Sequence, residues 1–248
     1  MAGDGPRGVS NLIQANDWMV FDQYILIQQL LACILVGYLL GSVPFARLAA
    51  RWKGVDIFAT GSHKAGSANV FWNIGRKTGT LVFAGDVAKG SLAIIIARLL
   101  DVPDPLALLA GAAAVIGHWN SIFTGFRGGD GMATLMGAAI TLVPSVAVLS
   151  VAAGLVMLVI LWRHPFRSGW GLLVCSAVML AASQYYQTDR DLVLGVVLLA
   201  ILVLGHSLFA RRRHPPEADQ QGAELSLPVN PDADPDSVGV APGTANPR

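Results

Sequence analysis

The residues in this chain whose types and spacing suit chemistry fall into a few short groups. Two are glycine-rich polar runs, Gly61 to Asn69 (GSHKAGSAN) and Gly125 to Gly131 (GFRGGDG), each followed by a long apolar stretch. Glycine lets the backbone turn its N–H groups toward a ligand, and such a nest opening into a helix N-terminus binds anions. A third group is Asp86 with Lys89, three residues apart and therefore on one helical face. Ser42, beside Pro44, and His118, just ahead of the second glycine run, complete the set. Together they point to phosphate chemistry at a lipid surface.

Each group also has a plainer reading. Asp86 and Lys89 can neutralise each other and pack helices together. Alternatively, Lys89 faces a ligand phosphate while Asp86 holds its ammonium, since ionisable groups at membrane depth mark sites by default. Ser42 can bond the carbonyl one turn back, or Pro44 can open a gap that leaves a hydroxyl and a carbonyl available. His118 is a helix-end residue or, near Arg127, Gly128 and Gly129, a general base or a partner for an acyl oxygen. The triple arginine at 211–213 is a topology signal and a contact for anionic lipid; Arg76 and Lys77 are the same, or border the acceptor site. Cys33 and Cys175 both sit inside apolar runs and read as packing residues.

The elements that must position these residues are apolar. The chain is 54% hydrophobic and only 13% charged, with a mean hydropathy of +0.56. A net charge of +1 gives no basic field for nucleic acid. Apolar stretches fall at about 24–41, 79–100, 104–119, 131–143, 145–162, 169–184 and 191–209. A spanning helix needs about 20 apolar residues. Pro144 lies between the fourth and fifth stretches, where it removes a backbone donor and breaks the helix. Charge places the ends. Arg47, Arg51, Lys53, Lys64, Arg76 and Lys77 face one acid, Asp56, across residues 47–77. Asp101 and Asp104 occupy the next connection, and Arg163, His164 and Arg167 a later one. All the basic regions lie inside only if 131–162 crosses twice. The expected fold is therefore an all-α integral membrane bundle of seven transmembrane helices over 21–213, N-terminus outside and C-terminus cytoplasmic. Residues 1–20 form an extracytoplasmic segment without the pattern of a secretory signal. Residues 214–248, rich in Pro, Asp, Ala and Gly, form a disordered cytoplasmic tail. Trp18, Trp52, Trp119, Trp162 and Trp170 lie near helix ends, where indoles favour the interface.

Taken in order, the motifs resemble those of the bacterial acyl-phosphate-dependent glycerol-3-phosphate acyltransferase family, from about Gly37 to Arg213. The first motif resembles Gly41-Ser-Val-Pro-Phe45, the Gly54-to-Ile57 run, Gly61, Ser62, Gly66 and Asn69, with Gly75, Gly79, Asp86, Lys89 and Gly90 following. The second resembles Gly117, His118, the Phe126-to-Gly129 run, Gly131 and Thr134; the third is present only in His206, Arg211 and Arg212. The resemblance implies transfer of a fatty acyl group from acyl phosphate to glycerol 3-phosphate, or a related polyol phosphate, giving lysophosphatidic acid for phospholipid biosynthesis. It implies no metal and no cofactor, and a multi-pass protein of the inner (plasma) membrane, among its lipids, with the active site facing the cytoplasm. Ser42 and His118 become the catalytic candidates. Gly61, Ser62, Lys64, Gly66, Asn69, Arg76, Asp86, Lys89, Arg127, Gly128, Gly129, Gly131 and His206 become the substrate-binding candidates.

The chain departs from the family pattern at Phe58, Trp72, Trp119, Ser121, Asp130, Phe209 and the His63-Lys64 pair, several of which replace cations. Loss of charge-assisted contacts predicts weaker hold on the acceptor than on acyl phosphate unless Lys64 and Arg76 substitute. A non-catalytic or regulatory paralogue is the alternative. A small-solute transporter fits less well, because it needs polar groups at mid-membrane on several helices. The topology is directly testable. A cysteine introduced at Thr60 should resist an impermeant reagent applied outside intact cells, and labelling there would reverse the assignment.

Overall fold

The computed structural model describes residues 7–164 and 166–213, with side chains over 22–164 and 166–210. Within these residues the chain is all helical, in the order α1 (Arg7–Ser42), α2 (Phe45–Trp52), α3 (Ser67–Asn73), α4 (Arg76–Leu99), α5 (Asp104–Trp119), α6 (Met132–Leu142), α7 (Pro144–Ile160), α8 (Arg167–Tyr185) and α9 (Arg190–Arg213). Each apolar stretch of the sequence coincides with a helix. The first is the end of a longer one that starts at Arg7, inside the expected 1–20 segment. The expected tail, 214–248, lies outside the described residues. Residues Met1–Ala210 form one unit and those from Arg211 another.

Among the described residues, four helical stretches are long and apolar enough to cross a bilayer: Asp22–Trp52, Arg76–Leu99, Asp104–Thr124 and Arg190–Ala210. Met132–Leu142 and Pro144–Ile160 are apolar but shorter. Pro144 separates these two as the first residue of α7, with Val143 before it outside the helical conformation (φ −131°, ψ 61°). Leu31, Leu35 and Leu39 on α1, and Leu194, Leu198 and Ile201 on α9, are exposed. Apolar rows of that extent are tolerated in lipid, not in water.

Glycine decides how the helices touch. On α1, a Cβ at Gly37 or Gly41 would overlap the carbonyl oxygens of Ala110 or Ala114 on α5. On α4 and α6, a Cβ at Gly90 would overlap the Thr134 carbonyl, and one at Gly137 the Val87 carbonyl. Backbones in lipid associate closely through such small residues, because the lipid offers no hydrophobic drive for helix pairing. The contacts advance together from Gly37–Ala110 to Gly41–Ala114, and on the other pair from Ser91–Gly137 to Arg98–Thr141, so α1 runs parallel to α5 and α4 to α6. Ser91 Oγ (3.0 Å to Gly137 O) and Arg98 Nη1 (2.9 Å to Thr141 O) continue the α4–α6 register. Arg98 also grips Asp104 with two nitrogens, at 2.8 and 2.9 Å. Cys33, Ile94, Ala110, Ala138, Val146, Met179 and Val193 fill the core between helices. Neither Cys33 nor Cys175 is in a disulfide.

Close approach predicts a sharp position dependence. Gly41→Ala and Gly90→Ala should each lower stability by about 1–3 kcal/mol, the range for overpacking, seen as earlier thermal unfolding in detergent. Gly205→Ala, where a methyl group meets nothing within 4 Å, should leave the midpoint unchanged. Equal shifts in all three would refute the packing argument.

Candidate active site

The site begins where α1 ends. Helix termini leave carbonyls unpaired, and Pro44 supplies no N–H to the Leu40 carbonyl one turn back. Two carbonyls at this break accept bonds from distant residues: Ser42 O from Ser121 Oγ, and Val43 O from Lys89 Nζ at 3.3 Å. The gap expected at Pro44 is thus present. Ser42 Oγ itself is buried and finds no hydrogen-bond partner among the described residues.

Asp86 and Lys89 lie near the middle of α4, not near its start as the apolar boundary implied, because the helix begins at Arg76. At 1.5 Å per residue Asp86 is roughly 15 Å along its helix. The pair is almost wholly buried, with 2% and 4% of the side chains exposed, at 2.9 Å. The same carboxylate oxygen lies 3.5 Å from His118 Nδ1. Asp86 therefore serves two partners, and its second oxygen has no partner among the described residues.

The loop after α5 folds inward to reach this depth. Tyr38 donates to Asn120 O (2.9 Å), Arg47 to Phe123 O (2.9 Å), and Thr124 Oγ1 to Arg127 O. Because the loop already lies beside Lys89 when α6 starts, eleven residues of α6 cover only the C-terminal half of α4. Around a small recess stand Ser42, Asp86, Lys89, His118, Arg127 and Gly128, with Pro44, Phe45, Ala65 and Ser121.

The glycine runs act differently from the expectation of open nests. Ser62 N turns to Asn69 Oδ1 (3.4 Å), Ala65 N to Gly128 O (3.1 Å), Gly66 N to Lys64 O (2.9 Å) and Gly129 N to His118 O (3.2 Å). These N–H groups are spent inside the protein. Gly128 and Gly129 are glycine because a Cβ would strike the His118 backbone or ring. Gly61 (φ +54°) and Gly131 (φ +83°) adopt left-handed backbone, which costs glycine little. Asn69 is the organiser of the first run: its Nδ2 donates to Thr60 O and Lys64 O, both at 2.9 Å, and Asn73 donates to its Oδ1 at 2.8 Å.

The remaining candidates divide. Lys64 forms an ion pair with Asp130 at 2.8 Å, joining the two runs. Arg127 places its guanidinium 4.1 Å from the Phe58 ring centroid. His206 stacks on Trp119 at 4.3 Å, and Trp119 Nε1 donates to Asp130 O at 2.8 Å. Trp119, the last residue of α5, thus joins His206 to the second glycine run. Ser62 is exposed beside Asn69, and Arg76 is exposed at the start of α4, lining neither the recess nor the groove. The sequence did not single out Ser121 or Ala65 as lining residues; their roles depend on contacts 79 and 63 positions away. A separate apolar groove, about 930 Å³, runs between α3, α4 and α6–α9 past Trp72, Phe83, Met136, Leu155, Trp162 and Met179.

The model of the family "Glycerol-3-phosphate acyltransferase" matches residues 31–214. The chain belongs to the glycerol-3-phosphate acyltransferase family. Family members of that name from Roseiflexus sp. and Geotalea daltonii are 38% and 34% identical, over 74% and 72% of this chain and 91% of each relative. Among solved structures, PlsY, an integral membrane glycerol 3-phosphate acyltransferase crystallised in its glycerol 3-phosphate form, is similar with a TM-score of 0.61. It is 28% identical, over 79% of this chain and 92% of PlsY. A second PlsY structure, the lysophosphatidic acid form, gives a TM-score of 0.60.

Asp86→Asn would leave the Lys89 ammonium buried without its anion. The loss should be about 3 kcal/mol of unfolding free energy, and replacing both partners (Asp86→Leu with Lys89→Met) should recover most of it. An equal loss in the double variant would show that the pair is not an electrostatic unit.

Proposed function

We propose that this protein is a membrane acyltransferase that moves a fatty acyl group from acyl phosphate to glycerol 3-phosphate, giving lysophosphatidic acid. The observation that carries the reading is the buried recess where Lys89, His118 and Arg127 converge with the orphaned Ser42 hydroxyl, in a chain that belongs to this family. Acyl phosphate is already activated, so the protein's task is to bring two anions together and orient a hydroxyl. In the reaction the acceptor oxygen forms a bond to the acyl carbon, the acyl carbon–phosphate oxygen bond breaks, and phosphate leaves with the electron pair. His118 takes the hydroxyl proton on Nε2, with Asp86 behind Nδ1 stabilising the imidazolium. Lys89 and Arg127 neutralise the phosphates, and Ser42 Oγ donates to the oxygen on which charge grows. The apolar groove past Phe83 and Met136 suits the acyl chain.

The same reading gives seven crossings, N-terminus outside and C-terminus inside, with the site open to the cytoplasm of the plasma membrane. It is supported by the parallel pairs α1–α5 and α4–α6, which alternate crossing demands, and by the loop that starts α6 at the depth of Lys89. The domain arrangement, a membrane body over 21–213 between short terminal segments, follows from it.

Purified protein supplied with labelled acyl phosphate and glycerol 3-phosphate should yield labelled lysophosphatidic acid. Lys89→Ala and Arg127→Ala should each weaken phosphate-ligand binding at least tenfold, the scale of one lost charged hydrogen bond, and His118→Ala should lower kcat more than it raises KM. Absence of lipid product from folded wild type would leave the non-catalytic reading in its place.

A further inference from the structure

The Lys64–Asp130 bridge sits beside the recess. Lys64 adjoins Ala65 and Asp130 lies two residues past Gly128, and both Ala65 and Gly128 line the recess. The two backbones are fixed to one another by Ala65 N–H to Gly128 O, 3.1 Å. Asn69 holds the Lys64 carbonyl and Trp119 holds the Asp130 carbonyl, so the side chains meet across a rigid gap. They are 19% and 31% exposed, within reach of a dissolved ligand. The other cations near the recess are engaged as well, Lys89 by Asp86 and Arg127 by the Phe58 ring. Three cations against two carboxylates leave little net charge for a phosphate monoester, which carries about two negative charges.

We infer that Asp130 is a specificity-determining residue that holds Lys64 back, so that a phosphate monoester binds by exchanging places with the Asp130 carboxylate. The bridge is a latch on the acceptor side of the site. The identity of the anion, glycerol 3-phosphate, rests on the acyltransfer reading above; the exchange does not. Being partly solvated, the pair is weak enough to be displaced. Its carboxylate also repels the incoming dianion.

The test is titration calorimetry of glycerol 3-phosphate into the full-length protein in nanodiscs, alongside the assay for lipid product. Asp130→Asn should tighten the dissociation constant about tenfold and lower KM more than it changes kcat. Lys64→Met should weaken binding, and should do so by a larger factor in the Asp130→Asn background, where the freed ammonium serves the ligand alone. Unchanged or weaker binding in Asp130→Asn overturns the latch, as does loss of the fold in both single variants, which would make the bridge structural. Tighter binding in Asp130→Asn without lipid product from wild type would uphold the latch and reject the acyltransfer reading.

Discussion

The fold depends on one carboxylate. Asp86 is buried on α4 against Lys89 and His118, and an uncompensated charge at that depth would cost several kcal/mol. To satisfy it, α5 must bring His118 to the same level and the end of α1 must stop there, offering the Val43 carbonyl to Lys89. The inward loop follows, because Ser121 closes on the other freed carbonyl. The recess is thus the place where electrostatic and helix-end requirements are met together.

Much of the architecture was legible in the sequence, for identifiable reasons. Apolar runs mark helices in lipid because a lipid-facing helix has no polar face to hide. Pro44 and Pro144 mark breaks because each removes a donor. Asp86 lies further along its helix than an apolar stretch starting near 79 implies, because a helix entering from the membrane surface carries its first turn, here Arg76 to Thr78, in polar residues. The short helices α2 and α3 escaped notice for a related reason. On α2 the basic Arg47 and Arg51 signal topology more loudly than burial of Ala46 and Ala50 signals packing, and the seven residues of α3 are too few to show a period around the buried Val70.

The candidate site was legible as a set of residues and illegible as a set of pairings. Ser42, Asp86, Lys89, His118, Arg127 and Gly128 do share one recess. The departures from the family pattern looked like separate losses along the chain, but several are joined in space. Lys64 meets Asp130 across 66 positions, Phe58 lies beneath Arg127, and Trp119 carries His206 while bonding the Asp130 backbone. No local pattern encodes a contact of that separation. The glycines misled in a similar way, since one residue type serves both anion nests and tight packing, and here Ser62, Ala65, Gly66 and Gly129 spend their N–H groups on hydrogen bonds within the protein.

The parallel helix pairs have a mechanical consequence. Where α1 meets α5 and α4 meets α6, backbone lies on backbone with no side chain between to bend. Those helices therefore share a fixed axial register, and the atoms of the recess are attached to that frame. A change in bilayer thickness must be absorbed by tilt or by deformation of the lipid. The stiff frame shifts the burden to the lipid and to the long helices outside it, α7, α8 and α9. Membranes of different composition would then deform around the protein while the distances among Asp86, Lys89 and His118 stay constant.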